Sequence, residues 1–448
     1  MKEFDVFVIG TGVSGTAIAN SCASKGMSVG ITDELPYGGT CTMRGCVPKK
    51  VFWGVTELLE SAKNMKGFGI EQIPTINWKE LLNFKQTFVD PMPPKRENKF
   101  KENGIETFHG AAKFISSNQI QIGNEIIFAD KIMIATGAKP RQLNISGEEY
   151  TLTSRDFFDL EKLPDSMIFI GGGYIAFEFA HMAAIYGSKV TILHKDTKPL
   201  RKFDQDMVQH VIQSTKNKGI QLVLDTEVTQ IEKTENGILV KGKREDQWSE
   251  YCADAVFNTS GREPAIFNLD LDKASIDYTK EGVKVNRFLQ SKTNSNVYCI
   301  GDASASPGLP LTPLASMEAQ IVIKHLNGET PEDIDYSVMP TVVFTSPPMS
   351  AVGLTETEAN EKELDFEIKY ETVPEWFSAK RRHANQYAYK ILIEKNSGKI
   401  LGAHLVGPNA EETINLFAIA MKAGLTAVDI KQVLFSFPTS GADIKSML

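Results

Sequence analysis

The chain has 448 residues with 48 basic and 56 acidic side chains, a formal charge of −8. That length buries a core large enough to need no disulfide staples, and the acidic balance, with no long Lys/Arg run, leaves nucleic-acid backbone binding without a driving force. The opening residues Met1-Lys2-Glu3-Phe4-Asp5-Val6 lack a basic, apolar leader and no apolar run reaches the roughly 18 residues of a membrane span, so a cytoplasmic protein with no membrane attachment is expected.

Residues 4–9 form a short apolar run that breaks into Gly10-Thr11-Gly12-Val13-Ser14-Gly15, followed by a helical stretch to Gly26 and a second apolar run over 27–32. Strand, glycine turn, helix, strand is the order in which G-x-G-x-x-G becomes a dinucleotide site. Gly10 allows the tight turn, Gly12 admits a pyrophosphate to the backbone, Gly15 lets the helix sit on the sheet, and Asp33 ends the second strand where a ribose hydroxyl is taken. Next comes Gly38-Gly39-Thr40-Cys41-Thr42-Met43-Arg44-Gly45-Cys46-Val47-Pro48-Lys49-Lys50. Of the five cysteines, at 22, 41, 46, 252 and 299, only Cys41 and Cys46 are close in sequence. Their spacing suits a bond that opens and closes, and no second Cys/His pair offers zinc its remaining ligands, so no metal site is expected. A thiol at a helix start beside cations has a lowered pKa, which suits electron exchange. Arg44, between the two, stabilises a thiolate, binds an anionic acceptor or is simply exposed. Cys22, Cys252 and Cys299 read as small core residues.

The strand at 132–134 breaks into Ala135-Thr136-Gly137, and Val297-Tyr298-Cys299-Ile300 likewise leads into Gly301-Asp302. Between them the dinucleotide grammar recurs: a strand at 167–170, Gly171-Gly172-Gly173-Tyr174-Ile175-Ala176, a helix to about Tyr186 and a strand at 189–193. This second unit ends in His194-Lys195 with Lys198, Arg201 and Lys202 following. Cations there accept a 2′-phosphate, so the second site is expected to prefer NADPH, the alternative being a solvated basic turn. From about 335 the texture changes to prolines, alternating strands such as 389–394 and a helix over 411–424, an α+β domain.

Taken together these motifs closely resemble the flavin-dependent pyridine nucleotide–disulfide oxidoreductases, the family of glutathione reductase, lipoamide dehydrogenase and mercuric reductase. The stretch 38–50 is the most specific, supported by Ala135-Thr136-Gly137, Gly173-Tyr174-Ile175, Gly261-Arg262-Glu263-Pro264, Gly301-Asp302 and Val352-Gly353-Leu354-Thr355-Glu356. The resemblance implies an α/β chain with two Rossmann-like domains and a C-terminal α+β dimerisation domain: FAD binding in 1–148 and 266–334, NAD(P)H binding in 149–265, and a homodimer interface in 335–448. It implies Cys46 as the thiol next to the flavin, Cys41 as the interchange thiol, a Lys49–Glu178 ion pair, and Tyr174 as a gate over the nicotinamide pocket. By the same likeness Gly39, Thr40, Thr136, Gly137, Gly301, Asp302 and Thr312 join Gly10, Gly12, Gly15 and Asp33 at FAD. Gly171, Gly173, Ile175, Gly261 and Arg262 join Lys195 and Arg201 at NADPH.

Two departures qualify the transfer. Family disulfide reductases carry a tail His-Pro-Thr with a downstream Glu as an acid/base dyad, whereas this tail reads Phe437-Pro438-Thr439-Ser440-Gly441-Ala442-Asp443. Phe437 and Ala442 cannot move a proton, and Asp443, one residue along, is expected to point elsewhere. Asn20-Ser21 stand where glutathione reductase has paired arginines. The expectation is an NADPH oxidoreductase passing electrons through Cys41–Cys46 to a low-molecular-weight disulfide with an acidic leaving thiol. The alternatives are a diaphorase reducing quinones or metal ions, and a redox-sensing binding protein. Arg381-Arg382-His383 reads as a solvated turn, with substrate binding as its alternative.

Overall fold

A computed structural model describes residues 2–448. The chain divides into two compact units, one made of the chain up to Lys50, Leu82–Arg141 and Arg262–Tyr336, the other of Val51–Leu81, Gln142–Gly261 and Ser337–Leu448. The chain thus changes unit after 141, 261 and 336, where domain ends at 148, 265 and 334 are expected from sequence. The excursion 51–81 is not foreseen there: it begins within the helix Cys46–Asn64, whose periodicity gives no sign of a boundary.

In the first unit the apolar run near the N-terminus is the strand Lys2–Ile9, with parallel neighbours Val29–Asp33 (Val8↔Ile31) and Glu125–Ile134 (Val8↔Met133). Glu106–His109 extends the parallel part beyond Val29–Asp33, and Val297–Cys299 pairs with Glu125–Ile134, Cys299 opposite Ile134. The first half of Glu125–Ile134 also carries the antiparallel strands Gln119–Ile122 and Ala112–Ser116. Strands covered on both faces must be apolar on both, which is why Phe7 and Val8 are both fully buried. One face packs Phe4, Phe7 and Phe108, with ring centroids 5.5–5.9 Å apart; truncating such a ring to Ala typically costs about 3–5 kcal/mol. The other face packs Ile18 and Ala19 of the helix Val13–Ser24 with Ala319 and Val322 of the helix Thr312–Leu326. Because Ile9, Asp33, Ile134 and Cys299 end parallel strands, the segments after them emerge along one edge, the place where open α/β sheets bind ligands.

The second unit repeats the pattern in the parallel order Gln221–Val223, Lys189–Leu193, Ser166–Ile170, Ala255–Asn258. It adds an antiparallel sheet of Glu227–Thr234, Gly237–Arg244 and Gln247–Ala253, and a five-stranded sheet ordered Thr341–Val343, Met349–Gly353, Ile400–Val406, Ala388–Glu394, Phe366–Thr372. The helix Ala410–Lys422 packs on that sheet through Ile414 and Phe417. Cys22 and Cys299 are buried, but Cys252 is exposed, because it lies on the outward side of the edge strand Gln247–Ala253, where alternation turns Ala253 inward instead. Among the described residues no helix is long and apolar enough to cross a membrane.

Candidate active site

Cys41 sits in the short helix Gly39–Arg44 and Cys46 opens the helix Cys46–Asn64, with Gly45 between them. The break needs glycine: a Cβ at Gly45 would lie 2.9 Å from the Thr40 carbonyl oxygen. Cys46 therefore stands at a helix start, where the first backbone N–H groups have no partner within the helix and the helix dipole favours negative charge. The Cys41 thiol donates to Cys46, Thr312 Oγ1 lies 3.7 Å from Cys46 Sγ, and Lys49 follows one turn along the helix. The Cys41 hydrogen bond, with help from the Thr312 hydroxyl and the Lys49 charge, outweighs burial and brings Cys46 down to about 6. The same contact, with burial, holds Cys41 well above the ordinary thiol range. The pair thus carries one thiolate, on Cys46, and one proton, on Cys41.

The first glycine loop adjoins this dithiol. Gly10 has φ +113°, and a side chain there would strike the Ala135 carbonyl at 2.3 Å. Gly12 caps the helix Val13–Ser24 and is open on its Cβ side, Gly15 packs on the Gly10 carbonyl, and Gly39 lies against Gly12. Asp33 Oδ2 accepts from Thr11 N (2.8 Å) and Thr11 Oγ1 (2.6 Å), its Oδ1 accepts from Leu35 N, and Thr11 Oγ1 accepts from Gly38 N at 3.0 Å. Assigned from sequence to a ribose hydroxyl, this carboxylate already ties the glycine loop to the start of the cysteine segment. Thr136 buries its hydroxyl oxygen with no hydrogen-bond partner among the described residues, and Gly137 continues the turn. An orphaned buried hydroxyl beside a helix N-terminus that has no side-chain cap fits a dinucleotide such as FAD, which would supply both the missing partner and the anion.

Asp302 follows on the same edge, its carboxyl raised by burial against the pull of Arg262. Arg262 pairs with Pro140 across a two-stranded ladder and donates to the Ala138 carbonyl. Structure therefore groups Arg262 with the first nucleotide motif, whereas sequence assigns it to the second. Sequence reasoning also passes over Glu318. Its carboxylate is 1% exposed and accepts from Gly301 N (2.7 Å), Ser306 Oγ (2.7 Å) and Tyr336 OH (3.2 Å). The signal was present, since Leu314, Glu318 and Val322 recur every four residues and place a carboxylate on the buried stripe.

In the second unit Gly173 caps the helix Tyr174–Ile185 and is open on its Cβ side, behind Gly171 in the turn. Tyr174 is exposed and Ile175 half-buried, while Glu178 is buried and its Oε1 accepts from Phe344 N at 2.9 Å. Lys49 and Glu178, paired by the family resemblance, fall in different units. The strand Lys189–Leu193 runs into His194, whose Nε2 lies 3.3 Å from the Lys198 carbonyl, and Lys195 and Arg201 are exposed. Gly261 is the last residue before the chain leaves this unit. At the tail Phe437 is 86% exposed, and Asp443 Oδ2 accepts from Tyr387 OH at 2.8 Å. His383, with φ +51°, packs its ring at a tilt against Phe68, centroids 4.4 Å apart, in an exposed turn.

A reducible dithiol next to one dinucleotide fold, with a second such fold in the same chain, defines a flavin- and nicotinamide-linked disulfide reductase. The chain belongs to the pyridine nucleotide-disulphide oxidoreductase family, whose model matches residues 4–319 and whose dimerisation-domain model matches 339–448. It is 30% identical to a glutathione reductase of Nostoc sp. over 99% of each chain. It is 31% identical to the Burkholderia cepacia glutathione reductase (98% and 96% covered) and 30% identical to a Staphylococcus aureus dihydrolipoyl dehydrogenase (98% and 94%). Among solved structures it is similar to the HOCl-induced flavoprotein disulfide reductase RclA of Escherichia coli in its Cu(II) complex, with TM-score 0.89, 26% identity and 100% and 99% of the two chains covered. The protein is an NAD(P)H:disulfide oxidoreductase that uses FAD and NAD(P)H.

Proposed function

We propose that this chain works as a cytoplasmic homodimer that takes reducing equivalents from NADPH and delivers them through Cys41 and Cys46 to a low-molecular-weight disulfide with an acidic leaving thiol. The observation that carries this is the shared proton: Cys46 is a thiolate at a helix start and Cys41 is the thiol donating to it. Bound FAD, held by Gly10, Gly12, Gly15, Gly39, Thr40, Thr136, Gly137, Gly301, Asp302 and Thr312, supplies the two-electron link between nicotinamide and disulfide.

With Phe437 and Ala442 at the tail, the base available to Cys41 is Cys46 itself. As Cys41 sulfur attacks the acceptor disulfide, its proton passes to Cys46, one S–S bond breaks, and the first thiolate leaves without needing a proton. Cys46 then gives up that proton to the second departing thiol as it attacks Cys41 sulfur, closing Cys41–Cys46. One disulfide is reduced, one formed, and the proton is accounted for. A positioned general acid typically contributes 10²–10⁴-fold for a basic leaving group; an acidic thiol dispenses with it.

Preference for NADPH is supported by Lys195 and Arg201, exposed on the loop after Lys189–Leu193, where the first nucleotide unit instead has Asp33. Asp196 in the same loop lies 3.9 Å from His194. The test is NADPH oxidation with a series of aryl disulfides: the rate rises steeply as leaving-thiol pKa falls, and a flat series refutes the acceptor class. A second reading, reduction of Cu(II) to Cu(I) with two ions consumed per NADPH, is favoured by the likeness to RclA, which was solved with Cu(II). Copper-dependent NADPH oxidation that survives Cys41→Ser would favour it over disulfide reduction.

A further inference from the structure

Lys390 lies on Ala388–Glu394, an interior strand of the five-stranded sheet, with its side chain 3% exposed. Its ammonium meets Asp204 Oδ2 at 3.0 Å, Asp206 Oδ2 at 2.7 Å and the Glu356 carboxylate. The oxygens of those three acids lie close enough together to hold a metal ion, but the ammonium already serves as their cation. Lys390 and Asp204 are both buried, while Asp206 and Glu356 reach solvent; removing either buried partner leaves the other's charge uncompensated, so the bridge fixes Asp204 more firmly than a surface pair could.

Asp204 is the junction that matters. With Oδ1 it caps the helix Gln205–Asn217, accepting from Asp206 N (3.1 Å) and Met207 N (3.4 Å), which leaves Oδ2 for Lys390. On its other side it closes the basic loop that starts at His194. That loop is held partway by Leu200 N donating to the Gly172 carbonyl at 2.9 Å, Gly172 lying in the second glycine turn, and by Phe203 N donating to the Leu200 carbonyl at 2.8 Å. Leu200 takes φ +49°, a backbone state a leucine keeps only when both sides are held. Arg201 and Lys202 thus sit between two fixed points, the glycine turn and the Lys390 bridge.

We infer that Lys390 is a positioning residue for cofactor selectivity: through Asp204 it anchors the end of the 194–203 loop and so presents Arg201 to the 2′-phosphate of NADPH. The inference rests on the NADPH preference proposed above. Lys390 itself touches no cofactor, so its removal weakens recognition of the 2′-phosphate and leaves the rest of the nucleotide site in place.

The experiment compares NADPH with NADH, and 2′,5′-ADP with 5′-ADP in calorimetry, for the FAD-loaded unmodified protein, Lys390→Met, Lys390→Arg and Asp204→Asn, the last keeping the helix cap while losing the charge. In Lys390→Met and Asp204→Asn the NADPH:NADH ratio of kcat/KM falls about fivefold or more, through KM for NADPH, with NADH kinetics unchanged. Affinity for 2′,5′-ADP falls with it, affinity for 5′-ADP does not, and Lys390→Arg recovers most of the ratio. Equal losses for both cofactors, or an unchanged ratio, overturn the inference; if Lys390→Met fails to fold, Asp204→Asn decides alone. A ratio near one in the unmodified protein refutes the NADPH reading itself, whereas a high ratio that survives both variants refutes only the role of Lys390.

Discussion

Cys46 shows how one side chain acquires its chemistry from several weak sources. The Cys41 hydrogen bond comes first, the Thr312 hydroxyl and the Lys49 charge add to it, and burial opposes them. Alkylation of reduced protein by iodoacetamide should therefore occur at Cys46, rise with pH around a midpoint near about 6, and leave Cys41 slow. Cys41→Ala removes the largest contribution, and a hydrogen bond to a charged group is worth about 1.5–3 kcal/mol, so the midpoint should move up by about 1–2 pH units. An unmoved midpoint would mean that the helix terminus and Lys49 suffice alone. In the same thiol pair, NADPH reduction should produce a long-wavelength absorbance that Cys46→Ser abolishes, while Cys41→Ser shows it even before reduction; the reverse pattern would exchange the two roles. On the nucleotide side, Lys195→Glu should lower kcat/KM for NADPH about tenfold to a hundredfold. Equal use of NADH by the unmodified protein would make the basic loop a solvated turn.

At the scale of elements, the helix Tyr174–Ile185 does more than begin at a glycine turn. Glu178 and His181 lie nearly one turn apart and accept from Phe344 N (2.9 Å) and Ser346 N (3.1 Å), so one helix face matches the two-residue repeat of an extended segment. Since His181 Nδ1 accepts, Nε2 carries the proton and donates to Thr215 Oγ1 at 2.9 Å. Burial, followed by the charge of Lys218, holds His181 well below the ordinary histidine range. The sign follows: below about 6.5 the unfolded chain binds a proton that the folded one refuses, so stability falls as pH drops through that value. His404, His194 and His325, also lowered by burial, act in the same direction. The thermal midpoint should decline from pH 7.5 to 5.5, and His181→Asn should flatten part of that slope whatever it does to the midpoint at neutral pH; an equally steep slope in the variant would remove His181 from the list.

Elements were the most legible part of the sequence. The strand Lys189–Leu193 and both glycine turns could be placed because apolar runs, glycines and a helical repeat all mark the same positions. Contacts between distant segments could not. Cys252 sits in an apolar context yet faces outward on an edge strand, because nothing local says which side of a sheet is covered. Asp33 ends the strand where the sequence places it, but its bond to Thr11 depends on the loop's closure. Lys390 and Asp206 are 184 positions apart, so their bridge leaves no local pattern.

For the whole molecule, the region matched by the dimerisation-domain model carries a run of exposed apolar side chains, Ile419, Val428, Val433, Leu434 and Phe437, with Leu434 95% exposed. Such a surface calls for a partner, and a second copy is the one proposed. Light scattering should give a dimer, which Ile419→Asp with Leu434→Asp converts to monomer; a monomeric unmodified protein would contradict the proposal. The central claim, that electrons leave through the cysteine pair, is tested most directly by steady-state NADPH oxidation with an aryl disulfide in the unmodified protein and in FAD-loaded Cys41→Ser. A nucleophile lost from a covalent exchange costs several orders of magnitude, so the variant's turnover should fall by about 10³-fold or more. Turnover kept within a few-fold of the unmodified protein would show that reducing equivalents reach the acceptor without Cys41.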